Sequence, residues 1–264
     1  METLYWQLPL IGWATVFTFM TLLWLLHFPM KNAAIVDVGW TFSIMILAGI
    51  YAFWPGTPGN GTRNLIMFVL ASMWGLRLGL YLFFTRIYKA EEEGRYVQLR
   101  KDWAPDIGFK FFIFFQAQGL LDVLLSIPFL VIVMNPATEL HFIEIAGIAL
   151  VFIGIVGEAI ADWQLHVFKK NSTEKGQVCQ KGLWNYSRHP NYFFECVVWA
   201  GWLVFASMAP YGYAAVIAPA LIYYFIFRVT GVPATEEQAV RSRGEAYKEY
   251  QRTTSMFVPW FKKA

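Results

Sequence analysis

Apolar residues run along this chain in seven long blocks, at about 8–29, 33–54, 63–88, 108–134, 142–168, 193–208 and 211–230, separated by short polar stretches. A hydrocarbon core of ~30 Å takes about 20 helical residues at ~1.5 Å each. The first five blocks meet that length. The last two are shorter and meet at a tight Ala209-Pro210 turn, which suits a short hairpin. No internal repeat or low-complexity linker divides the sequence. The pattern predicts an all-α polytopic membrane protein, one domain over 1–264 with seven transmembrane helices. The first block is too long for a signal peptide and lacks a basic leader, so it is expected to remain as mature structure.

The distribution of basic residues orients the helices. With the N-terminus outside and the C-terminus cytosolic, the inner face receives Lys31, the loop with Lys89, Arg95, Arg100 and Lys101, and the loop with Lys169, Lys170, Lys175, Lys181 and Arg188. It also receives the tail with Arg241, Arg243, Lys248, Arg252, Lys262 and Lys263, and the outer face keeps only Arg63. Three polar segments, at about 89–107, 169–192 and 231–264, then face the cytosol, where soluble nucleotides are available.

Composition agrees with the pattern. Of 264 residues, 57% are hydrophobic and 15% charged, against about 25% charged in soluble domains. The net charge of +3 is spread over membrane-side loops and points to no nucleic-acid partner. Cys179 and Cys196 have no metal-ligand spacing, and no metal is expected.

Chemistry concentrates in Gly182-Leu-Trp-Asn-Tyr-Ser-Arg-His-Pro-Asn-Tyr-Phe-Phe-Glu195. Tyr186, Arg188, His189, Asn191 and Glu195 bring a guanidinium, an imidazole, an amide, a carboxylate and a phenol to one membrane edge. Such a set suits a polyanionic cofactor. An interfacial belt accounts for the aromatic and basic members, but not for Asn191 and Glu195 at a helix mouth. Charged groups inside the blocks are the second clue, since each costs several kcal/mol unless paired or hydrated. Asp37, Arg77, Asp122, Glu158 and Asp162 are such groups, and the polar Gln116 lies in the fourth block with Asp122. Glu158 and Asp162 share a helix face, which His166 and Lys169 continue. Asp37 and Arg77 are either an ion pair between helices or part of a hydrated cavity. The segments 91–103 and 236–252 mix acids, bases and rings, and the second reads as a short amphipathic helix. Both can be ordinary solvated faces. Alternatively, Arg95, Arg100 and Arg241 pair with phosphates while Tyr96 and Tyr250 stack on an adenine or bond a ribose. No Gly-rich dinucleotide fingerprint is present.

The run from Gly182 to Glu195, the tail with Tyr247 and Tyr250 closing on Phe257-Val-Pro-Trp260, and Asp162 with Lys169 resemble the C-terminal half of the steroid 5α-reductases. Asp37-Val-Gly-Trp40, Trp74-Gly-Leu-Arg77-Leu, Arg95-Tyr96 with Arg100, and Gln116 resemble the bacterial branch of that superfamily. The resemblance implies a membrane enzyme that uses NADPH to saturate the carbon–carbon double bond of an enone in a sterol-like substrate drawn from the bilayer. It implies catalytic roles for Asp37 and Tyr81, with Arg77 and Gln116 beside them. It also implies cofactor contacts from Lys169, Tyr186, Asn191 and Glu195. Isoprenylcysteine and phospholipid methyltransferases carry a similar Arg-His-Pro-x-Tyr run and bind S-adenosylmethionine there, so a methyltransferase is the alternative. A transporter using Asp37, Arg77 and Asp162 as a path is a third reading, although no repeat symmetry supports it. A monomer in a bacterial inner membrane, with its cofactor site toward the cytoplasm and lipids around it, is the expected setting.

Hydride addition to the β-carbon of an enone develops negative charge on the carbonyl oxygen, which a placed donor stabilises. Burial in an apolar bundle favours a protonated carboxyl, so Asp37 is expected to donate there unless Arg77 holds it ionised.

Overall fold

The computed structural model describes residues 2–172, 176–229 and 231–262. Lys175 and Lys263, counted in the charge asymmetry, lie outside them, as does part of the 169–192 loop. Every regular element among the described residues is helical. Backbone contacts divide the chain into two units, Met1–His141 with Ala206–Ile217, and Phe142–Phe205 with Ala218–Ala264.

In the first unit, α1 (Glu2–Met30) packs on α2 (Ile35–Phe53), and α2 packs along α3 (Gly61–Leu82). Glycines set the close approach. A Cβ on Gly75 would stand 3.1 Å from the Thr41 carbonyl oxygen, and one on Gly79 would stand 2.6 Å from Thr41 Oγ1. Small residues four apart let helix backbones approach in this way. The last turn of α3 widens into a π-helix, Phe83–Ile87. A short α4 (Gly94–Asp102) follows, in a segment read from sequence as a charged loop.

The fourth apolar block is two helices, α5 (Ile107–Leu125) and α6 (Ile127–Val133), broken at Ser126 with Pro128 at the new start. Proline lacks an N–H and sits well in a first helical turn. Ser126 Oγ lies 3.2 Å from Tyr51 Oη on α2, and Trp24 on α1 donates to the Gly108 carbonyl at 2.9 Å. Arg63 is buried at the start of α3, where its guanidinium donates to the carbonyls of Ala137 and Glu139, each at 2.7 Å, and so holds the loop beyond α6.

In the second unit, α7 (Phe142–Asn171) and α8 (Pro190–Ala206) also meet at glycines. A Cβ on Gly147 would stand 2.3 Å from the Phe205 nitrogen, and one on Gly201 2.6 Å from the Val151 nitrogen. Between them a 3-10 turn, Gly182–Asn185, is pinned to α7: Leu183 N–H donates to Gln164 and Trp184 Nε1–H to the Ala161 carbonyl, both at 2.9 Å. Then come α9 (Ile217–Tyr224), a π-helical segment Phe225–Val229, α10 (Val232–Arg243) and α11 (Glu245–Thr253). The tail read as one amphipathic helix is two, parted at Gly244, whose φ of 55° lies in the left-handed region that glycine enters without strain.

Among the described residues, six stretches are long and apolar enough to cross a membrane: Leu4–Met30, Ile35–Phe53, Gly61–Ile87, Ile107–Val133, Phe142–Asn171 and Gly212–Arg243. The chain is an integral membrane protein. The block at 193–208 is helical too, but α8 has 17 residues, about 25 Å of helix, and falls short of that length.

Candidate functional site

Polar side chains gather in each unit. In the first unit the gathering begins where α2 begins. Asn32 caps the entry with its side chain, accepting from Ala34 N–H at 3.0 Å and donating to the Arg86 carbonyl at 2.9 Å. Ala33 N–H donates to Glu92 Oε1 at 2.7 Å. Asp37, in the first turn, then faces three donors. Arg86 Nη1 lies 2.7 Å from Oδ2, Arg95 Nη2 lies 2.6 and 2.5 Å from the two oxygens, and Tyr96 Oη–H donates to Oδ1 at 2.7 Å. Glu93 Oε2 also lies 3.2 Å from Arg86 Nη1 and 3.6 Å from Arg95 Nε.

Burial opposes the charge on Arg95, but Asp37, Tyr96 and Glu93 beside it outweigh that and raise its affinity for the proton. Burial, and then the neighbouring Asp37, push the Tyr96 phenol well above its usual range. Burial also opposes the charge of Glu92, yet Arg100 and the Ala33 N–H hold its carboxyl below the ordinary value.

Asp37 therefore sits as an acceptor. The sequence argument cast it as a donor to a developing oxyanion, but in this geometry both its oxygens receive hydrogens. Of the other residues expected to work with it, Arg77 and Tyr81 stand four apart on α3 and share a face. Gln116 on α5 donates to Thr21 Oγ1 on α1 at 3.2 Å.

In the second unit Glu236 is the hub. Arg188 donates to it from Nε at 2.7 Å and Nη2 at 3.2 Å, His189 Nε2 lies 3.0 Å away, and Gln251 Nε2–H donates at 2.8 Å. Tyr247 Oη–H adds a contact at 3.3 Å. Arg188 Nη1 also donates to the carbonyls of Gln251 and Thr254, at 2.8 and 2.9 Å. Tyr250 Oη–H reaches the carbonyls of Trp184 and Ser187. Burial first, and then Glu236, push the Tyr247 phenol up; burial, and then Tyr247, do the same to Tyr250. Arg188, His189 and Tyr250, expected at a cofactor, fasten the mouth of α8 to α10 and α11.

A second set lies on the α7–α8 side. Asn191, in the first turn of α8, points Nδ2 at Asp162 Oδ1 at 3.5 Å. Its Oδ1 is buried with no hydrogen-bond partner among the described residues. Glu195, one turn on, accepts from Trp199 Nε1–H at 2.8 Å. Lys169 lies exposed in the last turn of α7. Tyr186 is half-exposed, with its ring against Phe261. Arg241 is exposed and paired with Glu237.

The structure thus joins Asp37 with Arg95 and Tyr96, Asp162 with Asn191, and Arg188 with His189. Arg86, Glu92 and Glu236 were not singled out from sequence. The signal available was the pairing of acids (Glu92-Glu93, Glu236-Glu237) with arginine-rich segments, which reads equally well as a solvated face.

Fold and sites define a helical integral membrane protein with polar clusters at helix ends. The family model described as a protein of unknown function (DUF1295) matches residues 23–254, and the chain belongs to that family. No curated protein and no solved structure matches it.

Proposed function

We propose that this chain is an NADPH-dependent reductase that saturates the carbon–carbon double bond of an enone in a steroid-like or other apolar substrate taken from the bilayer. The observation that carries this reading is the buried, orphaned Oδ1 of Asn191 beside Asp162. Nearly all buried polar atoms in folded proteins have a partner, and one that lacks it within the polypeptide invites a ligand. A carboxamide or ribose hydroxyl supplies the donor that Asn191 Oδ1 lacks. Lys169, Arg241 and Tyr186, near the ends of α7 and α10 and in the turn before α8, offer cationic and aromatic partners for phosphates and an adenine. These residues fit a dinucleotide.

When bound, NADPH would supply the hydride, and the α-carbon of the enolate would take its proton from water. Asn191 and Asp162 orient the cofactor's amide or sugar, while Lys169 and Arg241 neutralise phosphate. Glu195 steadies the first turns of α8 through Trp199. Asp37, Arg77, Tyr81 and Gln116 are the candidates for the enolate side of the reaction. There Asp37 holds Arg86 and Arg95 ready as positive charge for a developing oxyanion. We take α8 as a seventh span, with the N-terminus outside and the C-terminus cytosolic, because basic residues favour the cytosolic face. The membrane of this reading is a bacterial inner membrane, the cofactor enters from the cytoplasm, and the enzyme works as a monomer.

The test is thermal unfolding of the purified protein in detergent with each of two nucleotides. A ligand at 100 times its dissociation constant adds ~2.7 kcal/mol of stability. NADPH is expected to raise the midpoint and S-adenosylmethionine to leave it in place. The reverse result makes the chain a methyltransferase.

A further inference from the structure

We infer that Glu92 and Arg100 form a positioning clamp that sets the Asp37 cluster, and that Arg100 acts through Glu92 and not as a ligand for a cofactor. The inference rests on the proposed reductase only for its catalytic consequence; the clamp itself is a matter of geometry in the first unit.

Arg100 grips Glu92 in a two-pronged contact, Nε to Oε2 at 2.8 Å and Nη2 to Oε1 at 2.9 Å. Glu92 Oε1 also receives the Ala33 N–H at 2.7 Å. The Arg100 guanidinium lies 5.0 Å from the ring centre of Phe111 on α5. The Glu92 side chain is 10% exposed and that of Arg100 29%, so the carboxylate is the more desolvated partner. The fork commits two of the five guanidinium N–H groups to Glu92, and one face of the guanidinium lies over the Phe111 ring.

The register ties this contact to Asp37. Ala33 lies in the turn just before α2 and Asp37 in the first turn of α2, while Tyr96 and Arg100 are four apart on α4. Residues four apart on a helix lie one above the other. The bridge from Ala33 through Glu92 to Arg100 and the bond from Asp37 to Tyr96 are therefore two cross-links, one turn apart, between the same two segments. They run in antiparallel register. Asn32 adds a third tie, from the same entry of α2 to the carbonyl of Arg86, whose guanidinium also meets Asp37. Shifting the Glu92 link tilts the start of α2 against α4 and moves Asp37 away from Arg95 and Tyr96. Glu92 and Asp37 share no hydrogen bond among the described residues, so no direct bond between them accounts for a coupling.

The experiment is a mutant cycle on the purified full-length protein in detergent, reading the unfolding midpoint. The variants are Glu92→Gln, Asp37→Ala and the double variant. If Glu92 positions Asp37, the double variant falls by clearly less than the sum of the single falls, because Glu92→Gln has already loosened the Asp37 contacts. Additive falls overturn the clamp. Should Glu92→Gln not yield folded protein, Arg100→Lys and Asp37→Asn complete the same cycle, since lysine cannot make the fork. A second arm measures NADPH affinity in Arg100→Ala. The clamp predicts a change of no more than about twofold, whereas a phosphate ligand loses about tenfold or more. A tenfold loss overturns the assignment of Arg100. In the reductase assay Glu92→Gln lowers kcat and leaves KM for NADPH unchanged. If the wild-type protein neither binds NADPH nor reduces an enone, the proposed function fails, and the unfolding cycle still decides the clamp.

Discussion

Replacing Arg188 by alanine removes the guanidinium that joins the entry of α8 to α10 and α11. The side chains of Arg188 and Glu236 are 9% and 15% exposed, so the pair is largely out of water. The change deletes two donors to Glu236 and the donors to the carbonyls of Gln251 and Thr254. Breaking a buried pair from one side costs about 3–5 kcal/mol, mostly because the remaining charge is stranded. Here Glu236 keeps His189, Gln251 and Tyr247. The expected loss therefore sits at the low end, about 3 kcal/mol. Arg188→Lys should lose less, since a point charge keeps one contact but cannot make the fork. The assay is thermal unfolding in detergent combined with trypsin cleavage in the tail at Arg241, Arg243 and Arg252, which lie in helices and are cut once α10 and α11 detach and unwind. Unfolding within about 1 kcal/mol of wild type, with unchanged cleavage, would refute the structural role. Loss of NADPH affinity without loss of stability would hand Arg188 back to the cofactor.

Asn191→Ala should weaken NADPH binding at least about tenfold while leaving the unfolding midpoint close to wild type, because the residue gives up only one long contact within the protein; unchanged affinity would leave the orphaned acceptor without a ligand. Asp37→Asn should lose activity nearly as fully as Asp37→Ala, since an amide is a poor acceptor between two guanidiniums; substantial activity in Asn alone would restore the donor role. Glu92 is held below its ordinary value of 4.5, so the folded protein binds this proton less readily than the unfolded chain. Its contribution is full above that value and is lost as pH falls below it. Wild type should therefore lose stability on acidification more steeply than Glu92→Gln, and parallel curves would contradict this. The basic residues of the tail and of the α7 end predict higher catalytic efficiency with NADPH than with NADH, and equal efficiencies would count against a 2′-phosphate contact.

The apolar blocks were legible because a bilayer demands continuous apolar length, and α1, α2, α3 and α7 fall within a few residues of them apart from a longer N-terminal start to α1. The break at Ser126 was harder to read. Pro128 signals a helix start as well as a kink, and the hydropathy is uninterrupted across it. The helix α4 escaped notice because its apolar side chains are few. At the sites, residue types were legible but pairings were not. Asp37 was plainly costly in a membrane, yet its partners Arg86 and Arg95 come from the widened end of α3 and from α4, whose direction hydropathy does not reveal. The Arg188-His189 run announced a polar centre, while Glu236 lies nearly fifty residues on. Sequence cannot tell an arginine spent on an internal carboxylate from one that waits for a phosphate.

The most direct test of the central claim is turnover with NADPH deuterated on the nicotinamide carbon that gives up hydride, using a 3-oxo-Δ4 steroid in detergent micelles. The account predicts NADPH consumption, a saturated ketone, and deuterium at the former β-carbon. Saturated product without label there, or substrate and NADPH both unchanged beside an active reference enzyme, would contradict it.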